Sequence, residues 1–168
     1  DPNGANADGY TVDEQGKIER VDDTGGDEFD VLYKKSEYEA AKSSGETNSQ
    51  GNPEPQNKVK VDDTNILFGL SQRHSQMKQV DWYSQGMRTT TYDPNTGEWS
   101  SKYNLNYLQG QIAFSRSETD VQNVFEFAAA NSSVEWSLEG SKNGNWAIGA
   151  LIGGTSQALS MGYITGFK

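Results

Sequence analysis

The sequence predicts an α+β fold that is rich in strands, built from antiparallel hairpins with one main helix at about 119–130 and one or two short helices. Two kinds of pattern support this prediction: turn-forming residues separate alternating segments, and one segment repeats apolar residues at helical spacing. The composition is that of a globular chain with many loops, because 33% of the 168 residues are apolar and 18 are glycine.

The N-terminal side predicts three strands and a short helix. Residues 9–14 and 17–21 alternate apolar and polar side chains on either side of Gln15-Gly16, which predicts a hairpin. A third strand is predicted at 28–33. Helix formers then predict a short helix over 34–42.

Residues 43–57 contain no apolar side chain that would anchor them, which is typical of a flexible linker. The segment before residue 71 carries most of the net negative charge. We therefore expect three parts: residues 1–42 form an acidic N-terminal hairpin segment, residues 43–57 a flexible linker, and residues 58–168 an α+β C-terminal module.

Two elements are predicted before the main helix. Apolar residues at 65–70, with Met77 and Val80 behind them, favour an amphipathic helix, and a strand stays open as the alternative because Gly69 weakens a helix. The arms 87–92 and 98–103 are rich in Thr, Tyr and Trp and flank a Pro-Asn-Thr-Gly turn, which predicts a second hairpin.

The main helix has the clearest signature. Ser117 is an N-cap candidate before an acidic first turn, and the helix is expected to end at Asn131. Segments 133–138 and 146–152 then predict a hairpin with Asn-Gly at its tip. The apolar residues of the helix recur at i, i+3, i+4, i+7 and i+8: Val121, Val124, Phe125, Ala128 and Ala129.

Composition excludes several classes of function. The chain has no Cys, so disulfides, thiolate metal sites and a Cys nucleophile are excluded, and it has a single His. That residue, His74, is the one candidate for His-based acid/base catalysis, although its Ser and Gln neighbours also suit an exposed side chain. The net charge of −10 argues against a nucleic-acid partner. The sequence shows no complete catalytic constellation, so an enzymatic activity stays open.

Asp, Glu and Asn residues with side-chain oxygens form two groups, and each suits either a Ca²⁺ site or a charge-rich turn. Neither group has the Asp-x-Asp-x-Asp-Gly register of a calcium loop, which favours turns. No cofactor is therefore evident. The first group comprises Asp22, Asp23, Asp27, Glu28 and Asp30; the second comprises Asp1, Asn3, Asn6 and Asp8.

Aromatic residues in the strand-like segments suit packing or cross-strand pairs, and stacking on a sugar or base is the alternative. They are Trp82, Tyr83, Tyr92, Trp99, Tyr103 and Tyr107.

Residues 143–167 contain no charged side chain and include the spacing Gly149-x-x-x-Gly153. A membrane is therefore a possible partner, because a pore-forming tip needs such a segment and this spacing allows close helix packing. Polar residues interrupt the apolar run, so a buried strand followed by a Gly-rich loop is the competing interpretation.

The opening Asp1-Pro2-Asn3-Gly4 resembles the Asp-Pro-x-Gly motif that closes the core of Rhs/YD-repeat proteins, before their variable toxin domain. Segments 9–14, 28–33 and 131–138 are similar to the C-terminal extensions of those proteins. The chain does not begin with Met, so we expect an excised piece of a longer protein. The resemblance implies a polymorphic toxin tip that is secreted and delivered into a neighbouring bacterial cell, in a contact-dependent or type VI manner. It further implies a cognate immunity protein and the Rhs core shell as partners.

Some relatives continue into a JAMM-type zinc hydrolase, in which a helix precedes a strand with a catalytic Glu. Helix 119–130 and the strand that holds Glu135 resemble that opening, which implies a catalytic role for Glu135; a solvated strand carboxylate is the alternative. Zinc is expected only if the parent chain continues past Lys168 into a His-x-His motif. Two alternatives stay open: a membrane-acting, pore-forming tip that uses residues 143–167, and a non-catalytic interaction or adaptor module.

Overall fold

A computed structural model of the chain describes residues 8–21, 29–48, 51–72, 74–79, 88–103 and 106–153. Within these ranges the fold is α+β and rich in strands, with three helices, which confirms the predicted class. The strands are β1 (Gly9–Val12), β2 (Ile18–Arg20), β3 (Asp30–Lys34), β4 (Lys58–Val61), β5 (His74–Gln79), β6 (Arg88–Asp93), β7 (Glu98–Tyr103), β8 (Asn106–Ser115), β9 (Trp136–Gly140) and β10 (Trp146–Leu151). The helices are α1 (Lys35–Ser44), α2 (Thr64–Gln72) and α3 (Glu118–Ala130).

The strands form two four-stranded sheets and one separate hairpin. The first sheet has the order β2-β1-β3-β4, in which β1 pairs antiparallel with β2 and parallel with β3. The second sheet is antiparallel throughout, with the order β5-β8-β10-β9, and β6 pairs only with β7. All three predicted hairpins are confirmed. No element was predicted for residues 106–115, where the longest described strand forms.

Helix α2 confirms the helical alternative for residues 65–70 and shows why a glycine is suitable there. A Cβ atom added to Gly69 would lie 2.9 Å from the Cβ of Ala113, so the glycine lets the helix approach β8 closely. The expected continuation of this helix to Met77 and Val80 is wrong for Met77. The helix ends at Gln72, and Met77 lies in β5, where the backbone pairs with β8 instead. Val80 lies outside the described residues.

Helix α3 begins and ends where its pattern predicts. The Ser117 hydroxyl accepts a hydrogen bond from the backbone N–H of Asp120 at 3.2 Å, which satisfies one free donor of the first turn. Val121, Val124 and Ala128 are buried on one face. The helix therefore packs through its apolar stripe, as amphipathic periodicity requires.

One core joins both sheets. Helices α2 and α3 contact strands of the first sheet and of the second, and the main cluster of buried side chains draws on all of these elements. Helix α1 covers the opposite face of the first sheet, where it packs on Val31 and Tyr33 through Tyr38. Strand β4, from the expected C-terminal module, pairs with β3 from the expected N-terminal segment. The predicted division into residues 1–42, 43–57 and 58–168 stays a prediction.

A buried glutamine connects the two sheets. Gln111 on β8 has 0% exposure; its side-chain oxygen accepts the Ile18 N–H at 3.2 Å, and its side-chain amide donates to the Gly16 carbonyl. Both partners belong to the β1–β2 hairpin. The side chain thus satisfies backbone groups of the first sheet from within the second, in the way that buried polar groups require.

We expect Gln111→Ala to lower the free energy of unfolding by about 2 kcal/mol or more, because it leaves a buried N–H and a buried C=O without partners. Urea unfolding followed by circular dichroism measures this loss. Gln109→Ala is the matched control, since Gln109 is an exposed glutamine on the same strand. Equal stability of the two variants would contradict the role assigned to Gln111.

Candidate functional site

The loop between α3 and β9 presents Glu135 to solvent. The Ser132 hydroxyl donates to the Ala128 carbonyl at 2.6 Å and accepts the indole N–H of Trp136 at 3.1 Å. Val134 and Trp136 are buried, whereas Glu135 between them is exposed. The prediction that Glu135 lies on the strand is wrong, because β9 begins at Trp136 and Glu135 is the loop residue directly before it. The loop is therefore anchored on both sides of an exposed carboxylate.

The turn of the β1–β2 hairpin contacts this loop. The Ser133 backbone N–H donates to the Glu14 carbonyl at 2.8 Å, and the Ser133 hydroxyl donates to the Glu14 carboxylate at 3.0 Å. The Gly153 N–H donates to the Gln15 carbonyl at 2.8 Å. Residues far apart in sequence thus fix the position of the segment that carries Glu135.

An open cavity of about 330 Å³ lies beside the same turn. Glu14 takes part in both features, because it lines the cavity and also binds Ser133; its carboxylate lies 3.7 Å from the Lys34 ammonium. The cavity thus adjoins the loop of Glu135. Its lining residues are Val12, Asp13, Glu14, Gln15, Lys34, Lys35 and Ser36.

The described side chains around Glu135 do not form a set that fits a zinc ion. Zinc takes about four ligands from His, Cys, Asp and Glu in protein sites. Among the residues that the structure describes, no three or more side chains of these types are grouped closely enough to hold a metal ion. The loop presents an exposed carboxylate, and its neighbour Ser133 binds Glu14, which lines the cavity.

A second group of ionisable residues lies at one end of the first sheet, where Asp8 and Asp30 are buried and the Arg20 side chain is exposed. The Arg20 guanidinium donates to the Asp8 carboxylate at 2.7 Å, and the Asp8 backbone N–H donates to Oδ1 of Asp30 at 2.9 Å. Asp30 has 1% exposure, and its Oδ2 atom has no hydrogen-bond partner within the described part of the chain. A buried carboxylate oxygen without a donor favours the protonated form.

Burial dominates the ionisation of this group. It raises the pKa of Asp30 to about 7, and the nearby Arg20 charge offsets part of the effect. Burial, followed by the charge of Asp30, raises the pKa of Tyr10 to about 12. A carboxyl group with a pKa near 7 suits proton transfer, yet its 1% exposure keeps Asp30 away from any substrate in solution. Asp30 therefore acts on the stability of the fold.

Asp63 contributes to the same environment from the loop after β4. Its negative charge raises the pKa of Asp30 further. The Asp63 carboxylate accepts a hydrogen bond from the Ser115 hydroxyl, and its backbone N–H donates to Asp120 at 2.8 Å. Asp63 thereby connects the end of β8 with the first turn of α3.

Of the other predicted site residues, the structure brings together Asp8 and Asp30, which come from different predicted groups. The backbone of His74 begins β5 and pairs with Gln111, and its side chain lies outside the described part. Of the first acidic group, Asp30 is described and is buried in β3. Of the second, Asp8 is described and is buried and paired with Arg20. Asp22, Asp23, Asp27, Glu28, Asp1, Asn3 and Asn6 lie outside the described residues.

The aromatic residues have different outcomes. Tyr92 and Trp99 form a cross-strand pair, as one interpretation predicts, and both are exposed. Trp82 and Tyr83, and the side chains of Tyr103 and Tyr107, lie outside the described part.

Residues 146–151 form the buried strand β10, which agrees with the strand interpretation of the uncharged segment. Gly149 lies in this strand, so its spacing to Gly153 does not mark a helix–helix contact. No helix in the described ranges is long and apolar enough to cross a membrane. Residues 154–167 of this segment lie outside those ranges.

The Asp8–Arg20–Asp30 group was missed because its members are polar residues that lie apart in sequence, 12 positions between Asp8 and Arg20 and 22 between Asp8 and Asp30. In the predicted strand 28–33, alternation places Asp30 with Leu32 and opposite Phe29, Val31 and Tyr33, the more apolar face, so no local pattern marked Asp30 as buried. Its partners follow only from the parallel pairing of β1 with β3, which no local pattern predicts.

Residues 113–163 match the family model described as JAB-like toxin 1. The match covers 51 of the 168 residues and includes the end of β8, α3, the loop of Glu135, β9 and β10. No curated protein and no solved structure matches the chain. The similarity to JAB-like toxin 1 supports a toxin domain in this chain.

Proposed function

We propose that this chain is the effector domain of an Rhs-type polymorphic toxin, used in competition between bacteria and neutralised by a cognate immunity protein. The match of residues 113–163 to JAB-like toxin 1 carries the toxin part of this proposal. The Rhs part rests on the resemblance of Asp1-Pro2-Asn3-Gly4 to the motif that ends the Rhs core. Delivery into a neighbouring cell, by contact or by type VI secretion, and enclosure by the Rhs core shell follow from that resemblance.

The geometry supports a toxin that acts through its matched segment. The first hairpin supports the loop of Glu135 through Ser133 and Gly153, so the segments before and within the match form one packed unit. We propose that the cavity beside Glu14 and the exposed carboxylate of Glu135 together form the surface that acts on a target.

We expect residues 1–168 to arrest growth when they are expressed in a bacterial host, in the cytoplasm or, with a signal peptide, in the periplasm. Viable counts and membrane potential measure the effect in each compartment. Co-expression of the protein encoded directly downstream is expected to restore growth. Absence of arrest in both compartments, with folded protein present, would contradict the toxin proposal.

Glu135→Gln tests the matched loop, and Glu126→Gln is its control, because Glu126 is an exposed carboxylate on α3 within the same matched segment. Relief of the arrest by Glu135→Gln alone would assign this carboxylate to the toxic activity. Arrest that persists in both variants would exclude Glu135 and leave the toxin proposal intact. Growth arrest that persists in Glu135→Gln and in His74→Ala, together with loss of the membrane potential, would favour action on the membrane.

A further inference from the structure

The β6–β7 hairpin projects from the fold. Every residue from 90 to 101 is exposed, and β6 and β7 pair only with each other. We call residues 90–101 the exposed hairpin. An isolated two-stranded hairpin is marginally stable in water. Within the described residues, the exposed hairpin contributes no side chain to the buried core.

The turn of the exposed hairpin is held in one conformation. The Gly97 N–H donates to the Asp93 carbonyl at 2.8 Å, and the Asn95 N–H donates to the Asp93 carboxylate at 2.8 Å. Gly97 has a φ of 71°, which favours glycine. A turn that is already ordered loses little conformational entropy on binding, which favours recognition by a partner.

One face of the exposed hairpin carries a large aromatic pair. Tyr92 and Trp99 lie opposite each other, with ring centroids 4.9 Å apart, and their exposures are 49% and 70%. They are the large hydrophobic side chains that the described part of the chain leaves exposed. Tyr and Trp are the residues that most often contribute the central binding energy of protein interfaces.

The other face carries two like charges. Asp93 and Glu98 lie directly opposite each other, and no described cationic side chain forms an ion pair with either. Opposed like charges destabilise a strand pair. A cationic group from outside would remove this repulsion.

These charges select the class of partner. Nucleic acids and anionic membrane surfaces are repelled by the acidic pair and by the net charge of −10. A second copy of the chain carries the same charges and is disfavoured for the same reason. A basic protein surface fits both the acidic pair and the aromatic pair.

We propose that the exposed hairpin is the docking site for a basic protein partner, which encloses it in a cleft with one apolar and one cationic wall. This inference rests on the proposed function, in which that partner is the immunity protein. The apolar wall contacts Tyr92 and Trp99, and the cationic wall contacts Asp93 and Glu98. Because side chains alternate along a strand, the two pairs face opposite walls.

The test is a binding titration between the full chain and the purified protein encoded directly downstream of its gene. The double variant Tyr92→Ala/Trp99→Ala is expected to raise the Kd by at least about 30-fold, as loss of a central aromatic contact does. Asp93→Asn/Glu98→Gln is expected to slow association and reduce its dependence on salt. The control Glu118→Gln/Glu126→Gln makes the same charge change at exposed positions of α3 and is expected to leave the Kd unchanged.

Hydrogen exchange gives a measurement that does not depend on variants that weaken the hairpin. Amides of residues 90–101 are expected to exchange more slowly in the complex than in the free chain. Binding without this protection, or binding that both hairpin variants retain, would overturn the docking site and leave the proposed function standing. Failure of the unmodified chain to bind would contradict the proposed immunity partner and the docking site together.

Discussion

Asp30→Asn is expected to flatten the pH dependence of stability between about pH 4 and pH 7. The folded-state pKa of Asp30 lies near 7, above the ordinary value of 3.8. A carboxyl with a raised folded-state pKa contributes stability that is fully present below pH 3.8 and is lost as the pH rises through 7. The difference between the two pKa values corresponds to roughly 4 kcal/mol in the free energy of unfolding. Asparagine removes this titration.

Urea unfolding of the unmodified chain and of the variant, at intervals from pH 4 to pH 8, measures the effect as the difference between the two profiles. Asp62→Asn, the same change at an exposed position, is the control and is expected to keep the slope of the unmodified chain. Parallel profiles for Asp30→Asn and the unmodified chain would show that Asp30 does not titrate in this range.

Gly16→Ala is expected to lower the free energy of unfolding by about 3 kcal/mol through two effects. Gly16 has a φ of 83°, where a residue with a Cβ loses about 1–2 kcal/mol. The added Cβ would also lie 2.4 Å from Cγ2 of Val134, so the loop before Glu135 must shift. Overpacking of this kind costs about 1–3 kcal/mol.

Gly144→Ala separates the two effects. Gly144 has a φ of 76°, and an added Cβ meets no atom within 4 Å, so this variant loses only the conformational part. The difference between the midpoints of thermal unfolding of the two variants then measures the contact with Val134. Equal midpoints would contradict close packing of the first hairpin against the matched segment.

Local patterns predicted most of the described elements. Helix α3 follows from its cap at Ser117 and its apolar spacing, and the exposed hairpin follows from the turn at 93–97. Both signals act between residues that are near in sequence, so these two elements could be predicted without knowledge of tertiary contacts. At Gly69 the local pattern predicted the helix less clearly, because glycine disfavours a helix. The glycine is needed there for the close approach of the helix to Ala113.

The site depended on contacts that no local pattern specifies. The exposure of Glu135 follows from its place between two apolar residues. The hydrogen bond that supports its loop, however, joins Ser133 to Glu14, which is 119 positions away in sequence. In the sequence, Gln111 resembles an ordinary strand residue. Only the structure shows that it binds the backbone of the β1–β2 hairpin. Strand order in a sheet is set by long-range pairing and shared burial, which sequence periodicity does not record.

Composition was sufficient to exclude cysteine chemistry. Periodicity and turn residues were sufficient to predict the α+β class, the main helix and the hairpins, because these signals act between residues that are near in sequence. Long-range packing was needed to pair β1 in parallel with β3 and to join both sheets in one core. The same packing buries Asp30 without a partner for Oδ2 among the described residues and leaves Tyr92 and Trp99 exposed. Burial arises from the packing of distant segments, and burial controls both the pKa of a carboxyl group and the availability of an aromatic surface.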